Sequence, residues 1–237
     1  MALSREIGVL RRMIARYVIV LFSVFVGLLA LPLEGPSYAV RQFLSAKETL
    51  IPDSVPIVTL GPVAPFVAPI MMALLVALLV TFPFGLWSVI RFLRPALRPG
   101  ERRTLARIIA PSLILFYSGC ALAYFIIIPR TFSILYSFAA PMGVAPFFAL
   151  DEFISSVFFL TISVGIAFLL PVVMAISSRL GFVPRGFWLR HWRMAVFLAI
   201  FFSAVITPDG SGITMVFLSI PLIVLYGIGA VVSVRRA

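Results

Sequence analysis

Phe92-Leu93-Arg94-Pro95-Ala96-Leu97-Arg98-Pro99-Gly100-Glu101-Arg102-Arg103 stands between two apolar runs, each long enough to cross a bilayer. It belongs to the longest basic stretch of the chain, in which Arg91, Arg94, Arg98, Arg102, Arg103 and Arg107 surround one carboxylate, Glu101. Charge at this density is excluded from hydrocarbon, because a single arginine at a span centre costs about 2.5–3.5 kcal/mol on insertion scales. The stretch is therefore a loop at a membrane surface, and its apolar flanks are spans. An acid held there among cations either balances charge locally or offers a carboxylate to an incoming guanidinium.

Working outward, the rest of the chain has the same character. Hydrophobic residues make up 62% of the 237 and charged residues 11%, which excludes a soluble domain. Helices are the way such apolar runs satisfy their backbone groups in lipid. Charge-free segments at 17–33, 67–90, 108–128, 153–178, 194–208 and 210–234 predict six spans. A seventh run, 131–150, is also uncharged, but Pro141, Gly143 and Pro146 break it. Counting it as a span would also invert the charge pattern of everything downstream.

With six spans the basic residues sort to one side. The N-terminus, the 91–107 loop, the 179–193 loop and Arg235-Arg236 hold all but three of the 19 basic residues, with Glu6 and Glu101 as their acids. The other side holds Arg41, Lys47 and Arg130 with Glu34, Glu48, Asp53, Asp151, Glu152 and Asp209. The positive-inside rule then predicts an all-α integral membrane bundle of six transmembrane helices, a single domain over 1–237, with both termini cytoplasmic. The net charge of +11 sits in short loops beside apolar runs, which points to anionic lipids as contacts rather than to nucleic acid. After the basic segment 5–16, the apolar run 17–33 is longer than a usual signal-peptide core and is followed by no clean cleavage site, so it is expected to be the first span.

The outer loops are unequal. The first, about 34–66, is long; an amphipathic surface helix is expected over 38–50, followed by Pro52, Pro56, Pro62, Pro65 and Pro69. The last is a few residues around Pro208-Asp209-Gly210. The fifth span is only about 15 residues, roughly 22 Å of helix against roughly 30 Å of hydrocarbon, so bilayer thinning or protein cover is expected there.

The spans carry little chemistry. They contain essentially no ionisable residue of the kind that lines a transport path. Ser23, Thr81, Ser88, Ser112, Ser118, Thr161 and Ser163 are expected to bond their own helix or a neighbour, and Pro83, Pro111, Pro171 and Pro221 to kink the helices. Asp151-Glu152 is expected to cap the fourth span. One cysteine (Cys120) and one histidine (His191) provide neither an internal disulfide nor a metal-ligand set, and His191 is expected at the interface beside Trp188 and Trp192. No serine–histidine–aspartate set, HExxH or phosphate loop is present, so neither an enzyme nor a cofactor is expected. For Glu101, an exposed ion pair with a neighbouring arginine would be worth roughly 0–1 kcal/mol. Bidentate capture of a guanidinium near a low-dielectric surface would be stronger and would select arginine over lysine. Composition leaves both open.

Phe92-x-x-Pro95-Ala96-Leu97-x-x-x-Glu101-Arg102 resembles the first inner loop of the TatC family, F-x-x-P-[AG]-L-x-x-x-E-[RK], the six-span receptor of the twin-arginine protein translocase. Ala64-Pro65-Phe66 before the second span, Pro83 within it, Ala123-Tyr124-Phe125 with Pro129 ending the third, Pro171, Thr207-Pro208-Asp209, and Ile220-Pro221 with Leu225-Tyr226 fit in the same order. Phe66, Pro83, Tyr124, Pro171 and Asp209 are thus family-motif positions. The resemblance implies a receptor in the cytoplasmic (inner) membrane of a prokaryote. Such a receptor binds twin-arginine signal peptides of folded cargo at the inner face and passes cargo across on the proton-motive force. It implies oligomers with small single-span partners of the TatA/TatB kind. It also implies that Glu101 meets the signal's arginines, with Phe92, Pro95, Leu97 and Arg11 around it. The chain departs from the pattern at Val9 and Leu169, where the family tends to keep acids, at Gly227 after Tyr226, and at Ser88, where glutamine is common. Those departures define the alternative, a divergent paralogue serving as a membrane scaffold or assembly factor without signal binding.

Overall fold

The computed structural model describes residues 2–30, 56–93, 99–139, 147–179, 181–184, 186–207 and 212–235. Helix α1 is Ala2–Ala30, β1 Ile57–Val58, α2 Ala64–Leu93 and α3 Pro99–Leu122. A π-helical segment, Ala123–Ile127, joins α3 to α4 (Ile128–Ala139). There follow β2 (Phe148–Ala149), α5 (Leu150–Ala167), α6 (Leu170–Arg179), α7 (Phe187–Arg190), α8 (Trp192–Ile206) and α9 (Ile213–Arg235). Five stretches are long and apolar enough to cross a membrane: Gly8–Ala30, Ala64–Phe92, Ile108–Leu135, Leu150–Arg179 and Met215–Ser233. The fifth predicted span is the shorter helix Trp192–Ile206, 15 residues long. The surface helix expected over 38–50 lies outside the described residues, as does Asp209.

The chain divides into two compact units. The first comprises 1–45 and 61–113, and the second 46–60 and 114–237. In the first, α1 packs on α2 at Gly85, where an added Cβ would lie 2.7 Å from the Tyr17 ring. Beyond Arg16, the α1 surface is largely apolar and uncovered, with Ile19 and Phe22 each 63% exposed. Such a surface suits hydrocarbon rather than water.

The second unit has a core of Ala123, Ile127, Val164, Phe168 and Leu218, flanked by Leu122, Ile206, Phe217 and Leu225. Glycines permit its closest helix approaches. A Cβ on Gly119 would lie 2.8 Å from the Phe168 Cβ and 3.1 Å from the Gly165 Cα; one on Gly229 would lie 2.9 Å from the Pro171 Cα. Small residues at helix crossings are how membrane bundles gain packing contact where lipid removes the hydrophobic drive. A two-residue parallel bridge pairs Ile57 with Phe148 and Val58 with Ala149, a tie between loops that no periodicity announces.

Three expectations need correction. Pro129, expected to end the third span, lies inside a continuous helical path that runs on to Ala139. Proline has no N–H and its ring clashes with the carbonyl four residues back. The preceding π turn absorbs that conflict: the Ile128 N–H bonds the Ala123 carbonyl, five residues back, and the helix proceeds. The run after residue 131 therefore continues the helix of the third span, which crosses over Ile108–Leu135 and runs on as helix to Ala139. Asp151 and Glu152 do not cap α5, because Ala149 holds the cap position without a side-chain bond. Both acids lie in the first helical turn, where they meet the positive end of the helix dipole.

The third correction concerns Thr161. Ser23, Thr81, Ser88, Ser112 and Ser118 each bond a carbonyl of their own helix at 2.7–2.8 Å, as expected. The buried Thr161 hydroxyl oxygen has no hydrogen-bond partner among the described residues. Pro171 acts as expected: α5 and α6 are separate helices, broken at Phe168–Leu169, and the Val172 and Val173 amides both bond the Leu169 carbonyl.

Candidate functional site

The described part of the loop motif falls at the end of α2 and the start of α3, both within the first unit. Phe92 is in the last turn of α2, and Glu101 is the third residue of α3, which begins at Pro99. Proline is favoured at a first helical position because its missing N–H has no partner to lose. An acid two residues later is favourably placed against the helix dipole. The loop sequence thus also starts a helix. Pro95 and Leu97 lie outside the described residues.

Beside Phe92 a cavity of about 460 Å³ opens between α1 and α2. From α1 it is lined by Val9, Arg12, Met13 and Arg16, and from α2 by Phe84, Trp87, Ser88, Arg91 and Phe92. Both sets follow the three-and-four spacing of one helix face. The Arg91 guanidinium lies 5.2 Å from the centre of the Trp87 ring, within cation–π range. Ser88 gives its hydroxyl to the Phe84 carbonyl at 2.8 Å. Val9 and Ser88, two of the departures from the family pattern, thus line one cavity. Arg11 is exposed on α1 but does not line it; Arg12 and Arg16 do. Sequence reasoning passed over Arg12, Arg16, Trp87 and Arg91. The available signal was the four-residue spacing of Arg12 with Arg16 and of Trp87 with Arg91.

The other motif positions are scattered. Phe66 is 73% exposed at the start of α2, Pro83 is inside α2, Tyr124 is in the π segment, and Pro171 is in the first turn of α6. A second cavity, about 630 Å³ and almost wholly apolar, lies in the second unit. Its walls include Leu170, Trp188, His191, Leu198, Phe202 and Tyr226. The Tyr226 hydroxyl donates to the Trp188 carbonyl, and the Trp188 indole donates to the Ser178 hydroxyl at 3.0 Å, so α7 is tied to both α9 and α6. Tyr226→Phe removes one of these ties and is expected to cost about 1 kcal/mol, seen as a lower midpoint of thermal unfolding in detergent. His191 is held locally, its Nδ1 2.9 Å from the Phe187 carbonyl. Among the described residues no group of three or more His, Cys, Asp or Glu side chains is placed to hold a metal.

Five long apolar helices, a sixth short one and a basic loop motif starting a helix define a multi-pass α-helical membrane protein. A model of the TatC family, described as Sec-independent protein translocase protein, matches residues 7–221. TatC of Cenarchaeum symbiosum is 36% identical over 205 residues, 86% of this chain and 77% of that protein. TatC of Aquifex aeolicus is 31% identical over 194 residues, covering 81% and 80%. A crystal structure of the twin arginine translocase receptor TatC superposes with a TM-score of 0.82 at 26% identity, covering 98% of this chain and 99% of that one. The chain belongs to the TatC family.

Proposed function

We propose that this chain is the receptor subunit of a twin-arginine translocase, binding the twin-arginine signal peptides of folded cargo for export. The observation that carries this reading is the family match over residues 7–221, joined to likeness over nearly the whole fold to a twin arginine translocase receptor. Glu101 is the carboxylate that meets the signal's guanidiniums, with Phe92, Pro95, Leu97 and Arg11 forming its surroundings. The receptor resides in the inner membrane of a prokaryote with both termini inside, an orientation supported by the sorting of arginines into the 91–107 and 179–193 loops. It works in oligomers with single-span partners of the TatA/TatB kind.

The test is rescue of export in a cell lacking its own receptor subunit but retaining the partners. Expression of this chain is expected to restore export of a folded reporter carrying a twin-arginine signal. Replacing the signal's two arginines by lysines is expected to abolish that rescue, since lysine lacks the planar fork a carboxylate takes bidentately. A chain that inserts stably, co-purifies with the partners and yet neither exports nor crosslinks to the signal would instead be the scaffold. That second reading draws on the cavity beside Phe92, which has arginines and Val9 on its α1 wall.

A further inference from the structure

We propose that the α1–α2 cavity is a phosphate-binding site, taking the phosphodiester of an anionic phospholipid between Arg12, Arg16 and Arg91. This site adjoins the proposed signal-recognition surroundings of Glu101, sharing Phe92 with them, and its test reads lipid binding rather than signal binding. Three arginines line one cavity of about 460 Å³ from two helices, Arg12 and Arg16 from α1 and Arg91 from α2; the Arg12 Nε donates to the Gly8 carbonyl at 3.2 Å, which leaves its terminal N–H groups for a ligand. Among the described residues no carboxylate lines it. Like charges brought together in this way repel, and an anion seated among them converts that repulsion into attraction. Arginine forks match phosphate oxygens two at a time, which a surface scattering of cations does not achieve.

Two further features favour a lipid as the source of the phosphate. The rest of the lining is apolar or aromatic: Val9, Met13, Phe84, Trp87 and Phe92, with Ser88 already bonded to its own helix. Trp87 holds the Arg91 head against its ring, which limits the conformations the guanidinium must give up on binding. Beyond the cavity, α1 continues as an uncovered apolar surface through Ile14, Val18, Ile19, Phe22 and Val26. A headgroup among the arginines would thus have its acyl chains beside a helix face suited to hydrocarbon. Basic pockets between transmembrane helices are a general means of holding anionic headgroups.

Binding of phosphatidylglycerol to the full purified chain, measured by native mass spectrometry against phosphatidylcholine, tests the site. The triple variant Arg12→Gln, Arg16→Gln, Arg91→Gln is expected to lose at least about tenfold in phosphatidylglycerol affinity, since a single charge-assisted hydrogen bond carries about that factor. A control with the same charge change, Arg185→Gln, Arg190→Gln, Arg193→Gln, is expected to stay within about twofold. The triple lysine variant at 12, 16 and 91 keeps charge and membrane orientation; it is expected to lose several-fold because the fork geometry is gone. Inorganic phosphate is the competitor that separates the sources. Displacement of the lipid only by large excess assigns the site to the headgroup, and binding of phosphate alone as tight as that of the lipid assigns it to a soluble phosphate. Equal losses in the two glutamine variants, or full affinity in the lysine variant, would overturn the proposal in favour of generic attraction to a basic surface.

Discussion

Glu101→Gln is expected to abolish crosslinking of a twin-arginine signal peptide to this chain and to stop export in the rescue assay. Export should fall by a factor on the order of 10² or more, because an arginine facing an unpaired amide loses a charge-assisted bidentate contact of about 3 kcal/mol or more. The substitution isolates charge from structure. Glu101 is the third residue of α3, and glutamine is also accepted at that position in a helix start. The lost dipole interaction is worth about 0.3–1 kcal/mol, too little to unfold the helix. Wild-type thermal stability together with lost crosslinking is therefore the expected pair of results. Undiminished crosslinking in Glu101→Gln would remove the recognition role from this residue.

Gly119→Val is expected to abolish the monodisperse folded protein in detergent, and Gly119→Ala to lower its stability by about 1–3 kcal/mol. The first Cβ atom already comes 2.7 Å from the Phe168 Cγ, 2.8 Å from its Cβ and 3.1 Å from the Gly165 Cα. Two of these are a side-chain root and a backbone atom, so relief requires α3 and α5 to move apart. That motion opens a core in which Phe168 packs with Ala123, Ile127, Val164 and Leu218. Valine adds two methyl groups to the same overlap. Gly227→Ala is the control, since nothing lies within 4 Å of its added Cβ. There the better helix propensity of alanine is expected to leave stability unchanged or raise it by about 0.5–1 kcal/mol. Thermal unfolding followed by size-exclusion chromatography separates these outcomes.

Much of the architecture could be read from the chain because the cost of charge in hydrocarbon belongs to each residue alone. The six apolar runs, the rejection of 131–150 as a separate span and the shortness of the fifth span all follow from that cost, before any contact is known. Helix ends were less legible. Pro129 looked like a stop, and it is one for an ordinary α-helix. Whether the chain instead makes a π turn depends on seating Ala123 and Ile127 in the second unit's core, and that depends on residues some 40–90 positions away. Asp151 looked like a cap because acids favour helix starts; the start fell two residues earlier, and the same preference is met by the first turn.

The site divides in the same way. The motif Phe92-x-x-Pro95-Ala96-Leu97-x-x-x-Glu101 was legible because a lone acid in a basic loop is anomalous in sequence. Arg12, Arg16 and Arg91 were not, because each on its own is an ordinary topology signal. Their convergence follows from the face α1 turns toward α2, a rotation set in part by Gly85 admitting the Tyr17 ring. By itself the sequence determined the membrane class, the number and order of spans and the identity of the motif loop, since transfer free energy is a property of single side chains. Only the tertiary structure decided which arginines share a cavity and which glycines cannot be replaced, because those depend on pairs of helices and on the angle at which they meet.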